Sequence, residues 1–96
     1  MSGVVEITSP SAFVAQFAAW DGVELALSSP RAQPPGARLE GALDGALLRL
    51  KVHRCRKRDD GEFLVVGRPL DLRRETRAAL EALAGGSPER ARVDRW

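Results

Sequence analysis

In Arg38-Leu39-Glu40-Gly41-Ala42-Leu43-Asp44-Gly45-Ala46-Leu47-Leu48-Arg49-Leu50-Lys51-Val52, residues alternate in character on both sides of one Asp-Gly pair. Before the pair, Arg38, Glu40 and Ala42 alternate with Leu39, Gly41 and Leu43. After it, Leu48, Leu50 and Val52 share one face, and Leu47, Arg49, Lys51 and His53 share the other. Period-2 alternation places successive side chains on opposite faces of a strand. Asp-Gly supplies the two positive-φ positions of a tight hairpin turn. The stretch therefore predicts an antiparallel hairpin. A third strand is expected from Glu62 to Arg68, after the turn signal Asp59-Asp60-Gly61.

Working outward, Val23 to Ser28 alternates again and reads as an earlier strand. Pro30, Pro34 and Pro35 break ladder bonding and mark an ordered loop up to Gly36. Ser9-Pro10 has the form of a helix start, an N-cap followed by Pro at the first helical position. Phe13, Phe17 and Trp20 follow at i, i+4 and i+7, so a helix is expected over residues 10–20, ended by Asp21-Gly22. Pro69 stops the last strand, and Asp71 can cap a second helix from Leu72 to Ala84 with Gly85-Gly86 as its stop.

The expected fold is α+β: a small, partly open antiparallel β-barrel of four to five strands, with an N-terminal and a C-terminal helix. Residues 1–86 form one domain and residues 87–96 a flexible tail. The expected core comprises Phe13, Phe17, Trp20, Leu25, Leu27, Leu39, Leu43, Leu48, Leu50, Val52, Leu64, Val66, Leu72, Leu80 and Leu83.

The 96 residues suffice for one modest core. At 44% hydrophobic and 29% charged, the composition is that of a globular protein. No apolar run approaches the ~20 residues of a membrane helix. A lone Cys55 excludes an internal disulfide framework, which fits a reducing, cytoplasmic setting.

His53 and Cys55 lie two apart, a spacing that puts both on one strand face and raises the question of a nucleophile with its base. With no second Cys or His in the chain, a zinc site would have to rely on carboxylates. No phosphate-cradling glycine motif occurs and no carboxylate pair is visible. The expectation is a protein that is not an enzyme and holds no cofactor.

The densest positive segment runs from Lys51 to Arg58, offset by Asp59, Asp60 and Glu62. It offers weak nucleic-acid binding as one alternative function. An open barrel would leave an unpaired edge for a partner strand or a second copy, and so room for a homodimer.

Gly22-Val23-Glu24-Leu25-Ala26-Leu27, Pro34-Pro35-Gly36-Ala37-Arg38-Leu39, Leu48-Arg49-Leu50-Lys51-Val52, Phe63-Leu64-Val65-Val66-Gly67-Arg68 and the helix from Asp71 to Leu83 occur in an order that resembles the later part of a PilZ domain. The resemblance spans roughly residues 22–84 and implies a small β-barrel closed by a C-terminal helix. PilZ domains that bind cyclic di-GMP carry RxxxR ahead of the barrel and [D/N]xSxxG on an early strand. Here RxxxR spacing occurs at Arg54…Arg58 and Arg73…Arg77, after the early strands, and [D/N]xSxxG is absent.

A degenerate module of this kind implies a non-enzymatic protein-interaction adaptor of bacterial signalling or motility. Its contact residues would be Arg38, Arg49 and Lys51 on the sheet, or Arg73 and Arg77 on the last helix. The second alternative is a receptor for cyclic di-GMP or another nucleotide, with phosphates held by Arg31, Arg54, Arg56 and Arg58; the missing motifs speak against it.

The register makes a direct prediction. Leu50→Ala should cost about 2–5 kcal/mol in denaturant unfolding, whereas a surface-like loss under about 0.5 kcal/mol would place the strand one residue out of register.

Overall fold

The computed structural model describes residues 3–84. Six strands and one helix follow in order: β1 (Val4–Ser9), β2 (Phe13–Trp20), β3 (Leu25–Ser29), β4 (Arg38–Leu43), β5 (Ala46–Lys57), β6 (Phe63–Pro69) and α1 (Arg74–Leu83). All neighbouring strands are antiparallel, and the order β1-β2-β3-β6-β5-β4 closes on itself because β4 pairs back with β1. The barrel is therefore closed and six-stranded, not a partly open one of four to five. The unpaired edge that would have left room for a partner strand or a homodimer is used up by the β1–β4 pairing. The Gly85-Gly86 stop and the tail 87–96 lie outside the described residues.

The central hairpin has the expected register, with Arg38 opposite Lys51, Leu39 opposite Leu50 and Leu43 opposite Ala46. Asp44 and Gly45 both adopt positive φ, 48° and 88°, as the turn requires. Leu50 is fully buried.

The expected N-terminal helix is strand β2. A spacing of four fits both helical and strand periods, so Phe13 and Phe17 share a face either way. Ala15 between them is buried, while Val14, Gln16 and Ala18 are exposed, which is strand alternation. Trp20, three beyond Phe17, breaks period 2 and favours a helix on paper. A β-bulge resolves this: Phe17 pairs with Leu27 and Ala19 with Ala26, so Ala18 is the extra residue. The bulge restores Trp20 to the inside. Asp21-Gly22 is a turn, in which Asp21 Oδ1 accepts hydrogen bonds from the Val23 and Glu24 amides, each at 2.7 Å.

The barrel interior holds Val5, Ile7, Ala15, Trp20, Leu25, Leu27, Leu39, Leu43, Leu48, Leu50, Val52 and Val65. Phe13, Phe17, Leu72 and Leu83 pack half-buried against it. Leu64 and Val66 are buried, but with Ala26 they form a separate cluster on the other face, against which Ala19 packs. In β6 the inward residue is thus Val65, one position from the expected register.

α1 plugs the end of the barrel where β4 turns into β5. Ala79 and Leu80 enter the core, and Thr76 Oγ1 donates to the Leu47 carbonyl at 2.6 Å. Its N-cap is Arg73, which makes no side-chain capping bond, so Asp71 is not the cap. The proline loop closes the opposite end: Gly36 N donates to Val52 O at 2.7 Å, and Gln33 within the loop is buried. Among the described residues, no helix is long and apolar enough to cross a membrane.

Closure has a steric requirement. A Cβ at Gly41 would overlap the backbone oxygen of Glu6 on β1, and one at Gly67 would overlap the Lys51 oxygen on β5. Gly41→Ala should therefore force β1 and β4 apart and cost about 3 kcal/mol or more in urea unfolding, at the upper end for overpacking. A loss under about 1 kcal/mol would show that the barrel is not pinned there.

Candidate functional site

The outward residues of β4, β5 and β6 form the candidate site. Arg38 on β4 lies directly opposite Lys51 on β5, and Lys51 directly opposite Arg68 on β6. All three are exposed, and none has an ion-pair partner among the described residues. Neighbouring strands lie about 4.8 Å apart, so this row of cations spans roughly 10 Å. Like charges directly opposite one another on a sheet destabilise it. Local folding does not explain the row.

The cations around it are compensated. Arg49, opposite Glu40, meets its carboxylate at 3.7 Å and that of Asp71 at 3.3 Å. Arg54 Nη2 lies 3.8 Å from Glu24 Oε1, and His53 Nδ1 lies 3.2 Å from Glu24 Oε2. These exposed pairs each contribute less than about 1 kcal/mol, but they neutralise charge locally. Further along β5, beyond Arg49, Leu47 is 41% exposed and faces Ala42.

His53 and Cys55 do not share a face. The register shifts between Val52 and Arg54, so His53 is the extra residue of a second bulge and the parity of β5 inverts after it. His53 and Arg54 both reach Glu24 outside the barrel. Cys55 packs against the inner core, where Sγ accepts the Gln33 amide at 3.5 Å. The spacing that suggested a nucleophile with its base yields no such contact.

The residues considered for phosphate binding have separate neighbours. Arg31 lies over the Phe13 ring, 5.9 Å from its centroid, and its Nη1 donates to Ser11 Oγ at 3.4 Å. Arg54 is engaged by Glu24. Arg56 and Arg58 line an open depression of about 570 Å³ with Lys57, but Asp59 and Asp60 line it too. On α1, Arg77 Nη1 lies 3.9 Å from Glu81 Oε2, and Arg73 sits at the exposed N-cap.

Of the residues expected to bind a partner, Arg38, Lys51 and Arg49 come together on one face. Arg68, which completes the row, was missed by sequence reasoning. Its parity was readable, since it falls two residues beyond the outward Val66, but Val66 was itself expected inside.

Comparison with protein-family models, curated proteins and solved structures returned no match.

The row predicts an unusual substitution effect. Lys51→Gln removes the central like charge and should raise stability by about 0.2–1 kcal/mol at low ionic strength. The gain should shrink as salt screens the wild-type repulsion. Urea unfolding at low and high sodium chloride reads this directly; destabilisation at low salt would mean that Lys51 has a favourable partner.

Proposed function

We propose that this chain is a non-enzymatic adaptor, a degenerate PilZ-like module of bacterial signalling or motility that docks an acidic protein segment on the outer face of β4, β5 and β6. The observation that carries this reading is the uncompensated Arg38–Lys51–Arg68 row. Surface cations often protect a sheet edge from unwanted pairing, but a closed barrel has no edge there to protect. Their repulsion is relieved when an external anion lies across them.

Several features favour a protein partner over nucleic acid. Single-stranded nucleic acids are held by aromatic platforms on which bases stack. Here Trp20 is buried and Phe13 and Phe17 pack against the core, while the large apolar side chains exposed among the described residues are Val14, Val23 and Leu47. Leu47, two outward positions along β5 from Lys51, suits an extended segment mixing acidic and aliphatic residues. Glu24, Glu40, Asp59 and Asp60 would repel a continuous phosphate backbone while leaving a short acidic segment room.

The test is an affinity capture from the native cell, comparing wild type with a Lys51→Glu/Arg68→Glu double variant and an Arg73→Glu control. A partner retained by wild type and control but lost from the double variant is expected, with capture weakening as salt rises. Saturable calorimetric heat with cyclic di-GMP at micromolar concentration, or a captured set indifferent to the double reversal, would overturn the reading.

A further inference from the structure

The outer wall of the barrel is unevenly covered. Val14 on β2 and Leu47 on β5 point outward and are 54% and 41% exposed. Leu64 and Val66 on β6 and Ala26 on β3 also point outward, yet they are 8%, 1% and 0% exposed. These three form their own apolar cluster, with Ala19 of β2 packed against it. Glu24 covers one end: its carboxylate, from the β3 side, reaches His53 and Arg54 on β5 and so crosses β6. At the Leu64 end a hollow of about 100 Å³ remains. It is lined by Leu64 and Val66 of β6 and by Arg54, Cys55 and Arg56 of β5. The Cys55 side chain packs on the inner core, so the two arginines flank the opening.

Drug-sized ligands occupy pockets of about 300–1,000 Å³, so this hollow takes a single side chain. Arg54 and Arg56 are two apart on one strand, and their stems leave the sheet about 7 Å apart. A flat aromatic ring fits between two guanidiniums at that spacing, with a contact gap of about 3.5 Å on each face. A guanidinium over an aromatic face is also attracted to it. Arg54 lies opposite Val66 and Arg56 opposite Leu64, so such a ring rests its edge on both apolar side chains.

The chain carries a ring of this kind at Trp96, with Val93 three positions before it. α1 ends beside β2, since a Cβ on Gly3 would touch both Phe17 and Leu83. From there the outer wall runs β2, β3, β6, β5. A segment leaving the helix therefore meets Ala19 and Ala26 first and the hollow last, the order of Val93 and Trp96. The stretch from Ala84 to Val93 reaches up to about 30 Å, and the longest extent of the molecule is 29 Å. From Val93 to Trp96 the reach is about 10 Å, two strand spacings, which is the step from β2 and β3 to β6 and β5. We propose that residues 87–96 dock on this wall, with Val93 over Ala19 and Ala26 and the Trp96 indole in the hollow between Arg54 and Arg56. The proposal is independent of the adaptor reading and uses none of Arg38, Lys51 and Arg68.

The test uses the full chain with ¹³C-labelled Leu and Val methyl groups. An indole seated on Leu64 and Val66 shifts their methyl resonances upfield and gives nuclear Overhauser contacts to them. Trp96→Ala should remove both effects, Trp96→Phe should keep part of the shift, and the Val14 methyls should stay in place throughout. Arg56→Gln should shrink the upfield shift, and Arg73→Gln, outside the hollow, should not. Leu64 and Val66 methyls that ignore Trp96→Ala would overturn the proposal. So would a shift indifferent to Arg56→Gln, or one that grows with protein concentration and thereby assigns the ring to a second copy.

Discussion

The pairing of β4 with β1 is the constraint on which the rest of the structure depends. Five of the strand contacts could form in an open sheet; this sixth one turns the sheet into a barrel. It requires the β4 backbone to come so close to Glu6 that residue 41 can carry no side chain. Gly67 does the same between β6 and β5. Glycines inside strands normally weaken them, and here they permit the curvature that lets Val5, Leu43 and Leu48 share one interior. The helix and the proline loop then have defined openings to close. Among the described residues the interior is filled by the barrel's own side chains.

That geometry changes the meaning of the surface charge. In an open sheet, basic residues near the end of a strand would be explained by edge protection. Here the ladders to β4 and β6 overlap at Leu50 and Lys51, so outward-facing Lys51 has a paired neighbour on either side and its compatibility with them is a local energetic matter. Arg49 has acidic neighbours on both sides, at Glu40 and Asp71. Lys51, one row along, has a cation on each side. Adjacent rows on one strand thus differ in charge compensation, which is the contrast the proposed docking face rests on.

How much was legible in the sequence depended on whether local pattern and tertiary context agreed. The β4–β5 hairpin was readable because alternation and turn chemistry coincide at Asp44-Gly45, and its register followed. The C-terminal helix was readable from Thr76, Ala79, Leu80 and Leu83. β2 was not, because Phe13 and Phe17 satisfy two periods and Trp20 satisfies strand geometry only through a bulge that no local signal announces. The His53 bulge misled in the same way, inverting Cys55 relative to a simple strand. In β6, Leu64, Val65 and Val66 are all buried, so alternation carried no information about which faces inward. The candidate site inherited these limits: Arg38, Arg49 and Lys51 sit on the legible hairpin, while Arg68 and Trp20 lie on strands whose register the pattern leaves open.

The placement of α1 couples two parts of the molecule that are otherwise separate. The helix seals the core through Ala79 and Leu80 on one side, and on its exposed side Arg77 lines a cleft of about 190 Å³ together with Arg68 of the barrel. Whatever bridges those two guanidiniums touches both bodies at once. By thermodynamic linkage, anything favouring the docked helix strengthens such a bridge, and the bridge favours docking by an equal free energy. A ligand held between helix and barrel would thus share one equilibrium with the seal on the core.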